Sequence, residues 1–312
     1  MPVKKSEFAF LSSNGKNTVR GVKYMPEDPK AVVVISHGMV EHLGRYDDFN
    51  TYLAENSYAA YIHTHIGHLG STKFKEDLGY FAPKDGYKYV ARDIKRTVER
   101  AKKENPGLKV ILLGHSMGSF YARVYPSVYP GSIDGLIISG TGGPNDAAAA
   151  GLNLVKAMIR VRGDRYRSER VKNMMFGAYL KRIKDPRTPQ DWISRDTEIV
   201  DRYVNDPGCT FSFTLGGYRD LLEIMILSNS KETYEKTARD LPILIFSGSE
   251  DPVGDYGMGV MEVFSTYKKH GFRNVNMKIY PGGRHEMLNE INRSEVYRDV
   301  LAWLNGNFSE VK

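Results

Sequence analysis

The sequence has a single cysteine, Cys209, so no internal disulfide can form and cysteine-based zinc or iron–sulfur sites are excluded. It also lacks long apolar runs: stretches such as 31–35 and 242–246 are far shorter than the roughly 18 residues that a membrane-spanning helix needs. The first residues, Met-Pro-Val-Lys-Lys-Ser-Glu, are followed by no apolar segment of the kind that a secretory signal carries. We therefore expect a cytoplasmic protein in a reducing compartment.

Acidic residues are outnumbered by basic ones, with 37 Asp or Glu against 44 Lys or Arg and a net charge of +7. The surplus is concentrated at 151–190, where eleven Lys or Arg stand against three Asp or Glu, a local net charge of +8. Such a segment favours peripheral contact with anionic lipid surfaces, and the alternative is a solvated helical face. No nucleic-acid-binding motif accompanies the charge, so we expect no nucleic-acid partner.

Short β-rich apolar runs bounded by turns recur along the chain, at 32–35, 58–62, 110–113, 136–138, 244–246 and 275–280. Runs that are continuous rather than alternating are typical of strands buried on both faces. Helix-like segments at 47–56, 87–104 and 119–129 lie between the earlier runs or directly after them. This alternation predicts an α/β fold, with a mostly parallel sheet and helices on both faces.

The alternation stops after Gly140, and no strand pattern is found from about 141 to 230. Within that stretch, 151–162 is amphipathic. The sequence Thr-Pro-Gln-Asp at 188–191 has an N-cap threonine, a proline in the first turn and an acid three residues after the cap, so it predicts a helix start. Trp192, Ile199 and Tyr203 would then fall on one face of that helix. We therefore predict a helical cap at 143–229 that interrupts a core formed by 1–142 and 230–312.

A Gly-x-Ser-x-Gly motif stands at 114–118, after the apolar run 110–113 and before a predicted helix. A serine hydroxyl is a poor nucleophile unless it is exposed, oriented and paired with a base. A tight strand-to-helix turn exposes the hydroxyl, and the helix N-terminus favours developing negative charge. Ser116 is therefore the predicted nucleophile, and the alternative is an ordinary glycine-rich turn.

An acid and a histidine should follow the serine, each on a loop after a later strand. Asp251 lies in the loop after 244–246 and fits that position better than its neighbours Glu250 and Asp255. His285 follows the last apolar run. We predict that His285 takes the proton of the serine, while Asp251 holds the histidine tautomer.

A tetrahedral intermediate also needs donors for its oxyanion. The backbone N–H of Met117 directly follows the nucleophile, and that of Met39 lies in the loop after the first apolar run; packing is the alternative role for both side chains. Five apolar side chains are candidates for lining an acyl pocket, with helix packing as the alternative: Met174, Met175, Phe176, Phe211 and Phe213.

Three motifs together resemble those of the monoacylglycerol lipase and lysophospholipase branch of the α/β-hydrolase superfamily, whose sequence profile is often labelled serine aminopeptidase. They are HGxxEHxxRY at 37–46, Gly-His-Ser-Met-Gly at 114–118 and Gly-Ser-Glu-Asp at 248–251. The resemblance covers nearly the whole chain. It implies the α/β-hydrolase fold, with an eight-stranded sheet, a cap after the sixth strand and hydrolysis of carboxylic esters. It also assigns the triad to Ser116, Asp251 and His285, and the oxyanion donors to Met39 and Met117.

The chain departs from this family at 63–69, where H-D-x-x-G-H-G becomes His-Thr-His-Ile-Gly-His-Leu. Thr64 thus replaces an aspartate and Leu69 replaces a glycine, and we expect an effect on substrate shape or on loop packing. The three histidines of this segment are the residue type that binds zinc, but no acid lies among them and the family pattern accounts for two of them. We therefore predict no metal and no cofactor.

Taken together, these residues predict a serine hydrolase that cleaves carboxylic esters through an acyl-enzyme. The predicted substrates are small molecules: monoacyl lipids, either monoacylglycerol or lysophospholipid, or similar short- to medium-chain esters. One alternative is a peptidase of the prolyl-aminopeptidase type, which needs an acidic anchor for the substrate amine. The other is a non-catalytic binding protein that retains the fold.

Overall fold

The computed structural model describes residues 3–308 and confirms the predicted α/β fold. Eight strands form one sheet within that range, in the order first, second, fourth, third, fifth, sixth, seventh, eighth. They are β1 (Lys4–Leu11), β2 (Thr18–Met25), β3 (Ala31–Ser36), β4 (Tyr58–His63), β5 (Lys109–His115), β6 (Gly135–Ser139), β7 (Ile243–Gly248) and β8 (Val275–Tyr280). β2 pairs antiparallel with both β1 and β4, and all other neighbours are parallel.

Ten α-helices occur in the described residues. They are α1 (Asp47–Glu55), α2 (Gly86–Glu104), α3 (Met117–Val128), α4 (Asp146–Arg162), α5 (Glu169–Phe176), α6 (Thr197–Asn205), α7 (Leu215–Ser228), α8 (Lys231–Lys236), α9 (Met258–Lys269) and α10 (Arg293–Phe308). None of the helices between residues 3 and 308 has both the length and the apolar character that a bilayer crossing requires.

The central strands are buried at nearly every position because both faces of the sheet are covered. In β3, Val32 and Val34 pack with α2, α3 and α9 on one face, whereas Val33 and Ile35 pack with α1 and α10 on the other. All four side chains are completely buried. The continuous runs seen in the sequence are therefore the signature of a sheet that lies between two layers of helices.

The first two strands have no counterpart among the apolar runs used for prediction. β1 is mostly exposed along its length, and only Phe8 is buried in it. It pairs with β2 alone, so it forms an edge of the sheet. Because an edge strand mixes polar and apolar residues, a search for continuous apolar runs does not find it.

The predicted helix start at Thr188 is wrong. The Thr188 hydroxyl accepts the Gln190 N–H at 3.1 Å and donates to Asp191 at 2.7 Å, so the capping residues close a local turn instead. The next helix is α6, where the Asp196 carboxylate accepts the N–H groups of the first turn.

Distant contacts explain why no helix forms at 188–194. The Trp192 carbonyl accepts the His285 N–H at 3.4 Å, and the Ile193 carbonyl accepts the Glu286 N–H at 2.7 Å. The Arg284 guanidinium donates to the carbonyls of the flanking residues 191 and 194. A helix would need these same carbonyls for its own hydrogen bonds, so the segment forms only a short turn against the 284–286 loop, in which the Ile193 N–H donates to the Gln190 carbonyl at 2.9 Å.

Candidate active site

Ser116 lies at a sharp turn between β5 and α3, with φ 53° and ψ −122°. This is a backbone conformation that a residue with a side chain rarely adopts, and it persists only where the surroundings hold it. Here the Ser116 N–H donates to the Ser139 carbonyl at 3.0 Å. A Cβ on Gly118 would lie 2.0 Å from the Ser36 carbonyl oxygen, and one on Gly114 would lie 2.3 Å from that of Gly118. Both glycines of the motif are therefore required by close backbone packing.

His285 and Asp251 meet in the interior, each on the loop that follows a strand. His285 Nδ1 lies 2.9 and 3.0 Å from the two carboxylate oxygens of Asp251. The carboxylate, which is fully buried, also accepts the Ser247 hydroxyl at 2.8 Å and the Val253 N–H at 2.9 Å. Since a carboxylate only accepts, Nδ1 carries the proton and Nε2 is left as the acceptor.

The electrostatics of this pair favour a charged imidazole. Burial acts to lower the pKa of His285, but the negative charge of Asp251 and its hydrogen bond outweigh burial and raise that pKa above 6.5. The two competing acids, Glu250 and Asp255, are exposed, and neither hydrogen bonds to His285 among residues 3–308. The geometry therefore favours Asp251 as the partner of the histidine.

Ser116 and His285 line the same cavity. The imidazole of His285 packs between the rings of His115 and Trp192, whose centroids lie 4.7 and 5.0 Å away. Gly140 has φ 58°, and a Cβ at that position would come within 3.0 Å of the His285 ring. The chain can leave β6 past the histidine only because residue 140 has no side chain.

The Met39 N–H lies in the loop after β3, and its neighbours show which way it points. His37 Nδ1 donates to the Gly38 carbonyl at 2.7 Å, and the Val40 N–H is taken by His68 Nε2 at 3.2 Å. In a trans peptide the N–H points away from the preceding carbonyl, so the Met39 N–H is directed away from His37. Within residues 3–308 that N–H has no hydrogen-bond partner.

The second predicted donor lies at the start of α3. The first N–H groups of a helix have no intrahelical acceptor, and Met117 is the first residue of this helix. Met39 and Met117 both line the cavity that contains Ser116. Gly38 lies close to the nucleophile as well, since a Cβ there would be 3.0 Å from the Ser116 Cβ. The arrangement can thus offer two N–H groups to an oxyanion near Ser116.

The histidines of the 63–69 segment support this loop rather than bind a metal. His37 Nε2 accepts the His65 N–H at 2.9 Å, and His65 Nδ1 and His63 Nε2 lie 3.1 Å apart. His63 Nδ1 is in turn 2.8 Å from the Thr97 hydroxyl. Burial lowers the pKa of His63 to about 3 and that of His68 to about 4, so both rings are neutral near pH 7. Their nitrogens are already used as hydrogen-bond partners.

The two departures from the family pattern have different surroundings. Thr64 is buried, and its hydroxyl lies 3.5 Å from the Leu43 N–H. Leu69 is 41% exposed and does not line the cavity. Thr64 therefore contributes to the packing of this loop, and Leu69 lies on its surface.

One group of three side chains has the composition of a metal site: His42, Asp206 and Cys209, whose ligand atoms lie within 4.8 Å of one another. His42 Nδ1 accepts the Gly44 N–H at 3.1 Å, which requires the proton to be on Nε2. That proton is donated to Asp206 at 2.8 Å. A metal-bound Nε2 would need a protonated Nδ1, which would face the Gly44 N–H. We therefore assign this group to hydrogen bonding and not to a metal.

A buried charge cluster beside the site was not predicted as functional from the sequence. Arg45 is ion-paired with Glu286, and its Nε lies 3.5 Å from Glu41. Glu41 accepts the Gly38 N–H and the Tyr46 hydroxyl. Burial, together with the charge of Glu286, raises the pKa of Glu41 to about 7. Both carboxylates line the cavity.

The cavity has a volume of about 1420 Å³ and lies between the loops that carry Ser116 and His285 and the helices that follow β6. Four of the five predicted pocket residues line it: Met174, Met175, Phe176 and Phe211. The fifth, Phe213, does not. It is completely buried and packs against the rings of Phe81 and Tyr218, because its side chain fills the interface between α7 and the loop at 78–82.

Comparison with known proteins gives a consistent result. A family model described as "Serine aminopeptidase, S33" matches residues 27–292. The chain is 28% identical to a monoacylglycerol lipase of Mycolicibacterium smegmatis, over 96% of this chain and 97% of that protein. It is 26% identical to the monoglyceride lipase of Homo sapiens, over 89% and 83%. A solved structure of a thermostable carboxyl esterase from Bacillus coagulans, in complex with glycerol, superposes with a TM-score of 0.91 at 30% identity, over 98% of this chain and 100% of the esterase.

Proposed function

Since the chain belongs to the serine aminopeptidase S33 family, in the monoacylglycerol lipase-like branch of the α/β-hydrolases, and is a carboxylic ester hydrolase, we propose that it cleaves monoacyl lipid esters through an acyl-enzyme. The observation that carries this proposal is the contact between buried Asp251 and His285, which lines the same cavity as Ser116.

In the proposed mechanism, the Ser116 hydroxyl attacks the ester carbonyl while His285 Nε2 takes its proton. The N–H groups of Met39 and Met117 hold the oxyanion of the tetrahedral intermediate. As the intermediate collapses, His285 returns the proton to the departing alcohol and leaves an acyl group on the serine. Water then attacks the acyl-enzyme in the same way, with His285 again as the base, and Asp251 stabilises the imidazolium in both half-reactions.

The lining of the cavity supports a lipid acyl chain as one part of the substrate. Met174, Met175, Phe176 and Phe211 provide an apolar wall, and apolar walls with a few convergent polar groups are typical of small-molecule sites. The volume of about 1420 Å³ exceeds what a short acyl group requires. We therefore propose an acyl chain of medium or greater length.

The charge cluster supports a neutral alcohol as the leaving group. Glu41 and Glu286 line the cavity beside His285 with one cation, Arg45, between them. A phosphate there would face the Glu286 carboxylate and also Glu41, whose pKa of about 7 leaves it partly ionised at neutral pH, and like charges repel strongly where water is excluded. Monoacylglycerol is therefore the preferred substrate in this proposal, and lysophospholipid the weaker one.

The same cluster bears on the peptidase alternative. A prolyl-aminopeptidase must bind the substrate ammonium with an acidic group, and these two carboxylates line the cavity and act by their charge on His285. Both already contact Arg45, which opposes a second cation. We therefore keep aminopeptidase activity only as an outcome to be tested.

We also propose that residues 143–229 form a cap over the site, with 1–142 and 230–312 as the core. Within this cap, we propose that α4 contacts anionic lipid surfaces. Along α4, Val155 is buried, whereas Leu154 is 48% and Val161 is 82% exposed beside the exposed Arg160 and Arg162. An outward face with both apolar and basic side chains is typical of helices that lie at a membrane interface. A role in solubility alone is the alternative. The single Cys209 is in keeping with a reducing, cytoplasmic compartment.

An activity panel tests the proposal. The purified protein is assayed with p-nitrophenyl esters of increasing chain length, a monoacylglycerol, a lysophospholipid and an aminoacyl-proline substrate. We expect hydrolysis of the esters, with monoacylglycerol cleaved faster than lysophospholipid. Cleavage of the aminoacyl-proline substrate in preference to all esters would overturn the proposed function.

A further inference from the structure

Arg123 lies on α3, about two turns after Ser116, and is completely buried. Its guanidinium hydrogen bonds only to neutral groups, and no carboxylate lies within 4.0 Å of it among residues 3–308. A buried cation without a counter-ion is strongly unfavourable, and the Nε of this guanidinium has no hydrogen-bond partner among residues 3–308, so such a residue needs a reason to be present. The reason lies in which groups it contacts.

The acceptors of Arg123 come from the two segments that connect the proposed cap to the core. We call residues 140–143 the first hinge and residues 228–230 the second hinge. One terminal nitrogen donates to the first hinge, at 3.2 Å to the Thr141 hydroxyl and 2.9 Å to the Gly142 carbonyl. The other donates to the second hinge, at 2.9 Å to the Ser228 carbonyl and 2.7 Å to the Asn229 side-chain oxygen.

Two further contacts complete the arrangement. The Asn229 amide donates to the Gly143 carbonyl at 3.3 Å, so the two hinges also contact each other directly. Arg123 has one more acceptor, the Tyr234 hydroxyl at 2.8 Å, which lies on α8 beyond the second hinge. Four of these five hydrogen bonds are thus made to the hinges.

Both hinges continue into the walls of the cavity. Gly140 contacts the His285 ring, and Gly142 and Gly143 line the cavity. Met225, which precedes the second hinge by one turn of α7, lines it too. One side chain therefore links the helix that begins at Ser116 to both points where the chain crosses between core and cap.

We propose that Arg123 is a positioning residue that fixes both hinges relative to the nucleophile helix and thereby sets the preference for long acyl chains. This inference rests on the proposed function. A short acyl group needs only the part of the cavity next to Ser116 and His285. A long chain must also contact the wall formed by Met174 and Phe176, whose distance from the serine depends on the hinges.

The test compares p-nitrophenyl acetate with p-nitrophenyl octanoate. Arg123→Lys should lower kcat/KM for the octanoate about tenfold, mainly through KM, and change that for the acetate less than twofold. Asn229→Ala leaves the arginine in place but removes a contact to the second hinge. It should change the ratio of kcat/KM for the octanoate to kcat/KM for the acetate in the same direction. Tyr234→Phe is the matched control: it removes one hydrogen bond from the same guanidinium away from the hinges, and the ratio should stay at the wild-type value.

Hydrogen exchange gives a second measurement that does not depend on turnover. In both Arg123→Lys and Asn229→Ala, the amides at 141–143 and 228–230 should exchange faster than in wild type, whereas in Tyr234→Phe they should not. If Arg123→Lys does not fold, Asn229→Ala decides the outcome.

Equal losses for the two esters, or unchanged exchange at the hinges, would overturn the positioning role. If the wild-type protein hydrolyses neither ester, the proposed function fails, and hydrogen exchange still decides whether Arg123 holds the hinges.

Discussion

Arg45 forms an ion pair with Glu286, the residue that directly follows His285. The same guanidinium approaches Glu41, which holds the Gly38 N–H of the loop that carries the Met39 donor. One buried cation therefore connects the loop of the proposed base to the loop of the proposed oxyanion donor.

The titration of Glu41 should be visible in the pH dependence of stability. Its pKa is raised to about 7 from an ordinary value near 4.5, so the folded protein binds a proton there that the unfolded chain has released. The free energy of unfolding should thus fall by about 3 kcal/mol as the pH rises from 4.5 to 7. Glu41→Gln, which keeps an acceptor for the Gly38 N–H, should reduce this fall. Denaturant unfolding of wild type and Glu41→Gln at several pH values measures the free energy of unfolding. An equal fall with pH in both proteins would contradict the raised pKa of Glu41.

The pH dependence of activity should report on His285. The base must be neutral, so kcat/KM should fall as the pH drops through the pKa of His285, with a midpoint above 6.5 because Asp251 raises that pKa. In Asp251→Asn the charge is lost while burial remains, so the midpoint should move to lower pH and the rate should fall on the order of 10⁴-fold. Asp255→Asn is the control and should keep both the rate and the midpoint. A wild-type midpoint below 6.5 would count against this prediction.

Replacing the proposed nucleophile should abolish hydrolysis without unfolding the protein. In Ser116→Ala the sharp turn between β5 and α3 keeps its backbone contacts, and only substrate binding and the two N–H donors remain to assist the reaction. The loss in kcat should be on the order of 10⁴-fold or more. Labelling by a fluorophosphonate probe should disappear in parallel. Retention of more than about a tenth of the activity would remove Ser116 from the mechanism.

The contact with lipid surfaces can be tested by co-sedimentation with vesicles that contain an anionic lipid. Each cation near such a surface contributes about 1 kcal/mol, so the Arg160→Gln and Arg162→Gln double variant should bind about thirtyfold more weakly at low salt. The control double variant, Lys16→Gln with Lys103→Gln, removes the same charge from exposed core positions and should bind as wild type does. Equal binding by the two double variants would leave solubility as the role of the basic face.

The sequence was sufficient where local chemistry decides the structure. β3 and β5 were predicted because their residues are apolar on both faces, and the turn at Ser116 was predicted because its two glycines permit the close packing that this turn requires. The order of serine, acid and histidine along the chain located Asp251 and His285, whose side chains do meet.

Prediction failed where distant residues decide the structure. The helix expected at Thr188 does not form because backbone and side-chain donors at 284–286 take its carbonyls, and no local pattern reveals that competition. The ion pair of Arg45 and Glu286 joins residues 241 positions apart. Phe213 has the composition of a pocket residue, and only the packing around it shows that it faces away from the cavity.

The non-helical segment at 191–194 has a consequence for attempts to recombine this protein with its relatives. Its carbonyls accept hydrogen bonds from Arg284, His285 and Glu286, and the Ser194 hydroxyl donates to the carbonyl of residue 289. The proposed cap therefore supplies part of the support for the loop that carries the base. A chimera that exchanges 143–229 for the corresponding region of another hydrolase must preserve the length and register of this segment. Otherwise the exchange would disturb the position of His285, and it would change the rate of the reaction together with the choice of substrate.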